Sequence, residues 1–173
     1  YMKSKMSAHE FEIMYDKYKN LLYRIAFTYL KGNQDIEDVL QEVFIKRMYH
    51  TPKFQSEEHE KRWLIRITVN HCKNQVSSFW KKNVFTSENT TELLETDQYG
   101  FNTEESELFS AVKSLPEKYR ITIYLYYYEG YKCREIAEIL KCKDSTVKMR
   151  LKKGRELLKS DLGEENMYEI REI

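Results

Sequence analysis

Glycine and proline are scarce, five and two in 173 residues. A sheet protein built on tight turns draws on both, since turns needing positive φ favour glycine and pre-set turns favour proline. Cysteine is scarce too. Cys72, Cys133 and Cys142 are odd in number and fit neither a disulfide framework nor a zinc-ligand spacing, so they read as reduced, packed or half-exposed thiols. No apolar run approaches the roughly 20 residues a membrane-spanning helix needs, and the opening residues lack the pattern of a secretory leader. A soluble, cytoplasmic protein of one or two small domains is expected, with no membrane insertion. What is abundant is helix formers and aromatics, including 14 tyrosines. With 41% apolar residues the chain has enough to build cores, so global disorder is excluded.

Net charge is only +1, but it is unevenly spread. Residues 1–80 hold 13 basic and 10 acidic side chains, and residues 81–108 hold 2 and 7. Residues 109–160 hold 13 and 6, and residues 161–173 hold 1 and 5. A block at +7 in 52 residues suits phosphate binding, and the acidic segment before it would repel or mimic nucleic acid.

Three helices are predicted in the first half. Phe11, Met14, Tyr15, Tyr18, Leu22, Ile25, Ala26 and Tyr29 recur at three- and four-residue steps, which is one amphipathic helix from about Ser7 to Leu30. Lys31-Gly32-Asn33 breaks it. A second helix runs from about Gln34 to Tyr49, with Asp35, Glu37 and Asp38 early, where the macrodipole favours carboxylates. Val39, Leu40, Val43 and Phe44 are its core candidates. Polar residues 53–60 read as a loop, and a third helix spans about Glu60 to Trp80. Residues 81–102 lose periodicity and read as a linker. Periodicity returns from Thr103 to Leu162, broken at Leu115-Pro116, Glu129-Gly130 and Lys141-Cys142-Lys143. The expected fold class is all-α: two small helical domains, 7–80 and 103–162, joined by a flexible acidic linker, 81–102, with an acidic tail, 163–173.

Residues 132–158 read as a helix-turn-helix. Ile136, Ala137 and Leu140 face inward on its first helix, and Val147, Leu151 and Leu158 on its second. Ala137 supplies the small side chain that two crossing helices need. Asp144 or Ser145 offers an oxygen to cap the second helix. That helix carries Lys148, Arg150, Lys152, Lys153 and Arg155, five cations in eight residues. Lys148, Met149 and Lys152 share one face and suit base reading, with Lys153 adjacent; Arg150 and Arg155 suit phosphates. On these residues alone the function is duplex DNA binding.

Three further stretches carry a resemblance. Gln34-Asp35-Ile36-Glu37-Asp38-Val39-Leu40-Gln41-Glu42-Val43-Phe44 resembles the polymerase-binding helix of bacterial sigma factors. Arg62-Trp63-Leu64-Ile65-Arg66-Ile67-Thr68-Val69-Asn70-His71 resembles their reader of the promoter −10 element. Leu115-Pro116-Glu117-Lys118-Tyr119-Arg120, with Glu135–Leu140 and Ser145-Thr146-Val147-Lys148, resembles their −35 reader. Order and spacing are similar to the extracytoplasmic-function group of the sigma-70 family, which has only sigma regions 2 and 4.

The resemblance implies that Asp35, Asp38, Gln41 and Glu42 dock on the clamp helices of the largest subunit of core RNA polymerase. It implies that Phe54, Arg62, Arg66, Asn70, Lys73 and Asn74 serve the −10 DNA. The loop around Phe54 to His59 would receive a flipped base near Asn70, and Arg66 and Lys73 would hold the non-template backbone. It assigns Arg120, Thr146, Lys148, Met149, Arg150, Lys152, Lys153 and Arg155 to the −35 DNA. It also implies an anti-sigma partner, which sequesters the protein at the membrane if itself anchored there.

Four features depart from the pattern. Lys141 stands where the turn usually holds glycine, and a left-handed conformation there costs on the order of 1 kcal/mol. Gly154 interrupts the second helix at roughly 1 kcal/mol against alanine. Three glutamates fall within residues 55–60, beside the expected DNA pocket. Met149 and Lys152 keep the −35 sequence from being carried over.

Trp63 has two readings, packing or DNA contact, and Phe79 and Trp80 either stack on a base or close the domain. Tyr126 to Tyr128 are candidates for an exposed aromatic surface. Two other functions compete. A helix-turn-helix regulator acting without polymerase explains residues 109–160 but not the acidic helix. An enzyme would rest on His59, His71 and Cys72, which no spacing unites into a nucleophile-base pair or metal site. No catalytic residue, metal or cofactor is therefore expected.

Overall fold

The computed structural model describes residues 6–50, 53–82 and 103–162. The expected tail, and the expected linker from residue 83 onward, lie outside the described residues. Every regular element among the described residues is helical, and the chain divides into two units.

The first unit holds α1 (Ala8–Tyr29), α2 (Asn33–Tyr49) and α3 (Glu57–Lys82), each packed on the other two. Ser7 starts α1 with a reciprocal cap: its Oγ accepts from the Glu10 N–H at 3.2 Å, and the Glu10 carboxylate accepts from the Ser7 N–H at 2.8 Å. The Ser7 N–H on that carboxylate, helped by the Ser7 hydroxyl, favours its ionised form and holds the Glu10 carboxyl below its usual range. Leu22, Ile25 and Ala26 of α1 are completely buried against Ile36, Val39, Val43 and Phe44 of α2 and Leu64, Ile65 and Cys72 of α3. Leu40 is only half-buried.

The third helix begins at Glu57, earlier than its apolar period predicts. Ser56 explains the difference. Its Oγ accepts from the His59 N–H at 3.1 Å and its carbonyl from the Glu60 N–H at 3.2 Å, starting a turn in which Glu57, Glu58 and Glu60 complement the helix dipole. The second half of the stretch 53–60, read as a polar loop, is thus helical, and its carboxylates are engaged within the unit. Glu57 pairs with Lys17 of α1, Glu58 with Arg62 at 3.1 Å, and Glu60 with Arg47 of α2 at 2.7 Å.

The second unit holds α4 (Thr103–Ser114), α5 (Glu117–Ile123), α6 (Cys133–Leu140) and α7 (Asp144–Leu162). Pro116 occupies the cap position of α5, which continues through Tyr124–Tyr128 as a π-helical stretch. There the Glu129 N–H reaches back to the Tyr124 carbonyl at 3.3 Å, and Gly130, at φ 71°, ends the helix. Phe109 meets Tyr124 and Tyr128 edge-on at 5.8 and 6.0 Å, and those two tyrosines stack at 5.2 Å. The surface expected of Tyr126 to Tyr128 is not open: Tyr127 is buried and its neighbours are half-buried.

Helices α6 and α7 form the helix-turn-helix. Ile136, Ala137 and Leu140 are buried, as are Val147, Leu151 and Leu158. Lys141 adopts the left-handed conformation, φ 52° and ψ 52°, letting the N–H groups of Lys141 and Cys142 both reach the Ala137 carbonyl. Asp144 lies inside α7 rather than capping it. The Lys143 carbonyl instead accepts from the N–H groups of Thr146 and Val147, at 3.0 and 3.2 Å. Gly154 is not a mere interruption. A Cβ there would lie 2.9 Å from Ile123 Cγ1 and 3.6 Å from Tyr119 Cβ, so its bare Cα sets how closely α5 and α7 approach.

Candidate polymerase and promoter surfaces

On α2 the inward residues Ile36, Val39 and Val43 leave Asp35, Asp38, Gln41 and Glu42 exposed together on the outer face. Asp38 Oδ1 accepts from Gln34 Nε2 at 3.0 Å. The stripe continues one and two turns on into Ile45 and Tyr49, 45% and 56% exposed. The four-residue step from Gln41 through Ile45 to Tyr49 was the signal for that apolar extension.

On α3 the residues Arg62, Arg66, Asn70, Lys73 and Asn74 fall on one face, with Arg62 and Arg66 half-buried and the others exposed. Trp80 lies on the same face and is 69% exposed. The stripe from Arg62 to Trp80 is about 27 Å long at the helical rise. Phe79, 52% exposed, points to another side. Asp38, Val39, Glu42, His71, Asn74, Gln75 and Ser78 line a shallow groove between α2 and α3.

Phe54 is held in an aromatic cluster. It meets Trp63 edge-on at 5.6 Å and His59 at 5.5 Å, with the Arg47 guanidinium 5.0 Å from its ring. His50 stacks on Trp63 at 6.3 Å. Trp63 thus packs against both rings while staying half-buried, which leaves its other reading, a contact with DNA, open. The Arg47–Glu60 pair, which crosses beneath Phe54 and joins α2 to α3, was not singled out in sequence because its members lie 13 residues apart. Asn70 sits two turns along α3 from Trp63, roughly 10 Å away along the axis.

In the second unit the outer face of α7 presents Lys148, Met149, Lys152 and Lys153, all exposed, with Met149 at 62%. Thr146 and Arg150 are half-buried beside them. Lys148 Nζ pairs with Asp144 Oδ2 at 2.8 Å, and Lys153 lies 3.8 Å from Glu156. Asp144 accordingly holds the Lys148 ammonium above its usual range. Arg155 is half-buried, its guanidinium 6.0 and 5.8 Å from the rings of Tyr126 and Tyr127. Arg120 is likewise half-buried, and its Nη1 donates to the Lys113 carbonyl at 3.4 Å. Arg120 and Arg155 thus pack within the unit, whereas Lys148, Met149, Lys152 and Lys153 cluster on its surface.

An acidic helical face beside a cationic one, with a helix-turn-helix in a separate unit, defines a DNA-binding transcription protein. The model of sigma-70 region 2 matches residues 14–82, and that of sigma-70, region 4 matches residues 106–158. The chain is 31% identical over 153 residues to the RNA polymerase sigma factor SigV of Bacillus subtilis, covering 87% of this chain and 89% of that protein. It is 28% identical over 165 residues to the ECF RNA polymerase sigma-E factor of Haemophilus influenzae, covering 88% and 87%. The fold is similar to that of the sigma factor RpoE solved in complex with the anti-sigma factor NepR from Bartonella quintana. That match has a TM-score of 0.70 at 21% identity and covers 87% of this chain and 95% of that one. It is also similar to CnrH in complex with the cytosolic domain of CnrY, with a TM-score of 0.60 at 18% identity, covering 90% and 89%. The chain belongs to the sigma-70 family, in its extracytoplasmic-function group, and so directs transcription initiation. No described helix is long and apolar enough to cross a membrane.

Proposed function

We propose that this chain recruits core RNA polymerase through the outer face of α2, engages the −10 element along α3, and reads the −35 element with the outer face of α7. The observation that carries the reading is the division of α2 and α3 into fully buried apolar faces and exposed polar ones. Asp35, Asp38, Gln41 and Glu42 gather on one helix, and Asn70, Lys73 and Asn74 on its neighbour. Carboxylates on α2 suit an arginine-bearing partner such as the polymerase clamp helices, and cations with amides on α3 suit a single strand. Trp80, at the end of the α3 stripe, would add a stacking surface for a base.

On α7, Lys148, Met149 and Lys152 face the major groove with Lys153, Thr146 and Arg150 alongside. Arg120 and Arg155 act by holding that surface in place. The domain roles follow: region 2 in 7–80, with Lys81 and Lys82 completing α3, region 4 in 103–162, and the rest of 81–102 as the link between them. The protein acts without catalysis of its own, in the cytoplasm, under an anti-sigma protein of the kind bound in the structurally similar complexes.

Single-round transcription with core polymerase, on a library randomised at −35 and −10, tests this. Enrichment of a defined pair of elements is expected only when the protein is present. Absence of both enrichment and polymerase binding would replace this reading with that of a regulator acting on duplex DNA alone.

A further inference from the structure

Asp144 is the one carboxylate in the first two turns of α7, on a helix otherwise crowded with cations, and it lies at the end that a helix-turn-helix carries into the groove. An acidic side chain there is repelled by both phosphate backbones unless something compensates it. The compensation is specific: Asp144 Oδ2 lies 2.8 Å from Lys148 Nζ, one turn on. Both side chains remain accessible, 44% and 66% exposed, so the pair is presented to solvent rather than used in the core. Val147, between them in the chain, and Leu151, one turn beyond Val147, are instead buried in the core.

A lysine alone would slide between base edges and phosphates. Held by Asp144, its ammonium keeps two N–H donors free beside a carboxylate with unused acceptor sites. Donor and acceptor are then fixed side by side at hydrogen-bond distance. In the major groove, a G·C pair shows guanine O6 and N7 as acceptors next to the cytosine amino donor, and the preferred partners are a cation for guanine and a carboxylate for cytosine.

We propose that Asp144 is a specificity-determining residue: with Lys148 it forms a composite reader of a G·C pair, the ammonium donating to guanine and the carboxylate accepting from the cytosine amino group. This rests on the reading that α7 faces the −35 element. On a G·C pair the two residues act together; on a phosphate, Asp144 only repels. It therefore weakens binding to wrong sequences as well as strengthening binding to the right one.

The test uses holoenzyme reconstituted from core polymerase and the full chain, with each position of the −35 element varied in turn. Affinity is measured for the parent, D144A, D144N, K148A and D144A/K148A over a range of salt. At one position the parent should prefer G·C by about tenfold. D144A should bring that ratio near one while leaving affinity for other sequences unchanged or tighter, with a salt slope steeper by about one as Lys148 moves to a phosphate. D144N should shift the preference toward A·T, since an amide pairs with adenine. The double variant should lose no more discrimination than either single one.

If D144A weakens all sequences equally with the preference intact, Asp144 is only a helix-start residue and the proposal is overturned. If K148A changes affinity at no position and leaves the salt slope alone, the −35 reading of this face fails along with it. The two failures are distinguished by K148A.

Discussion

His71 Nδ1 lies 3.0 Å from Glu42 Oε2, joining the acidic face of α2 to the helix that carries the cationic stripe. The histidine is the better buried of the two, its side chain 26% exposed against 66%, so it acts as the anchor and Glu42 as the arm. If Glu42 meets polymerase, His71 sets where its carboxylate points.

His71→Ala should therefore weaken association with core polymerase by about two- to fivefold, the range of an exposed pair. His71→Gln, which keeps a donor, should restore most of it. Asp38→Arg, which reverses charge in the middle of the stripe, should cost more than either, with helical content unchanged by circular dichroism. Titration of labelled protein with core polymerase measures all three, and equal affinities throughout would remove this face from the interface.

Gly154→Ala should destabilise the second unit despite alanine's better helix propensity. The new methyl would sit 2.9 Å from Ile123 Cγ1 and 3.0 Å from its Cδ1. Overpacking of this kind costs about 1–3 kcal/mol, more than the roughly 1 kcal/mol that propensity returns. Urea unfolding followed by tyrosine fluorescence should show a lower midpoint, and Ile123→Val in the same chain should recover part of it.

Lys141→Gly should act in the opposite direction. Lysine at φ 52° bears a steric cost that glycine avoids, so the variant should gain about 0.5–1 kcal/mol after the added freedom of the unfolded chain is counted. Thermal melting checks it. A loss would mean that the lysine side chain makes up for its own backbone.

Tyr18 sets an alkaline limit on the first unit. Its hydroxyl is buried without a hydrogen-bond partner, and burial, reinforced by Glu60, pushes its pKa up to about 12 from 10. The raised value means that the stability it contributes is present below pH 10 and is lost as pH rises from 10 towards 12, because the unfolded chain ionises first. Tyr18→Phe should match or exceed parent stability at pH 7 and fall less steeply over that alkaline window, by about 2 kcal/mol at its upper end. Urea midpoints at pH 7, 10 and 11.5 would show it.

How far the sequence carried depended on whether a residue's neighbours lay nearby in the chain. Met14, Tyr18, Leu22 and Ile25 announced α1 by spacing alone, and Ile136 with Val147 and Leu151 announced the helix-turn-helix. The start of α3 was missed because Ser56 and the glutamates after it carry no apolar period; the signal was a cap. Gly154 reads as a cost in sequence because Ile123, the residue it makes room for, lies 31 residues earlier. The packing of Arg155 against Tyr126 and Tyr127 was out of reach for the same reason, since those rings come from another helix. Within the candidate surfaces, residues on single helical faces were legible. The aromatic cluster of Phe54, Trp63 and Arg47 was not, because three elements assemble it.

None of the three cysteines is in a disulfide: Cys72 is completely buried in the first unit, while Cys133, at the start of α6, and Cys142, just past its end, are half-buried. A thiol reagent added to the native protein thus meets two half-buried cysteines that bracket the first helix of the helix-turn-helix, and a third that is reached only when α1, α2 and α3 come apart. Labelling stoichiometry becomes a gauge of folding in one unit. Protection of the other two sulfurs becomes a footprint of whatever covers the second, and neither needs an engineered residue.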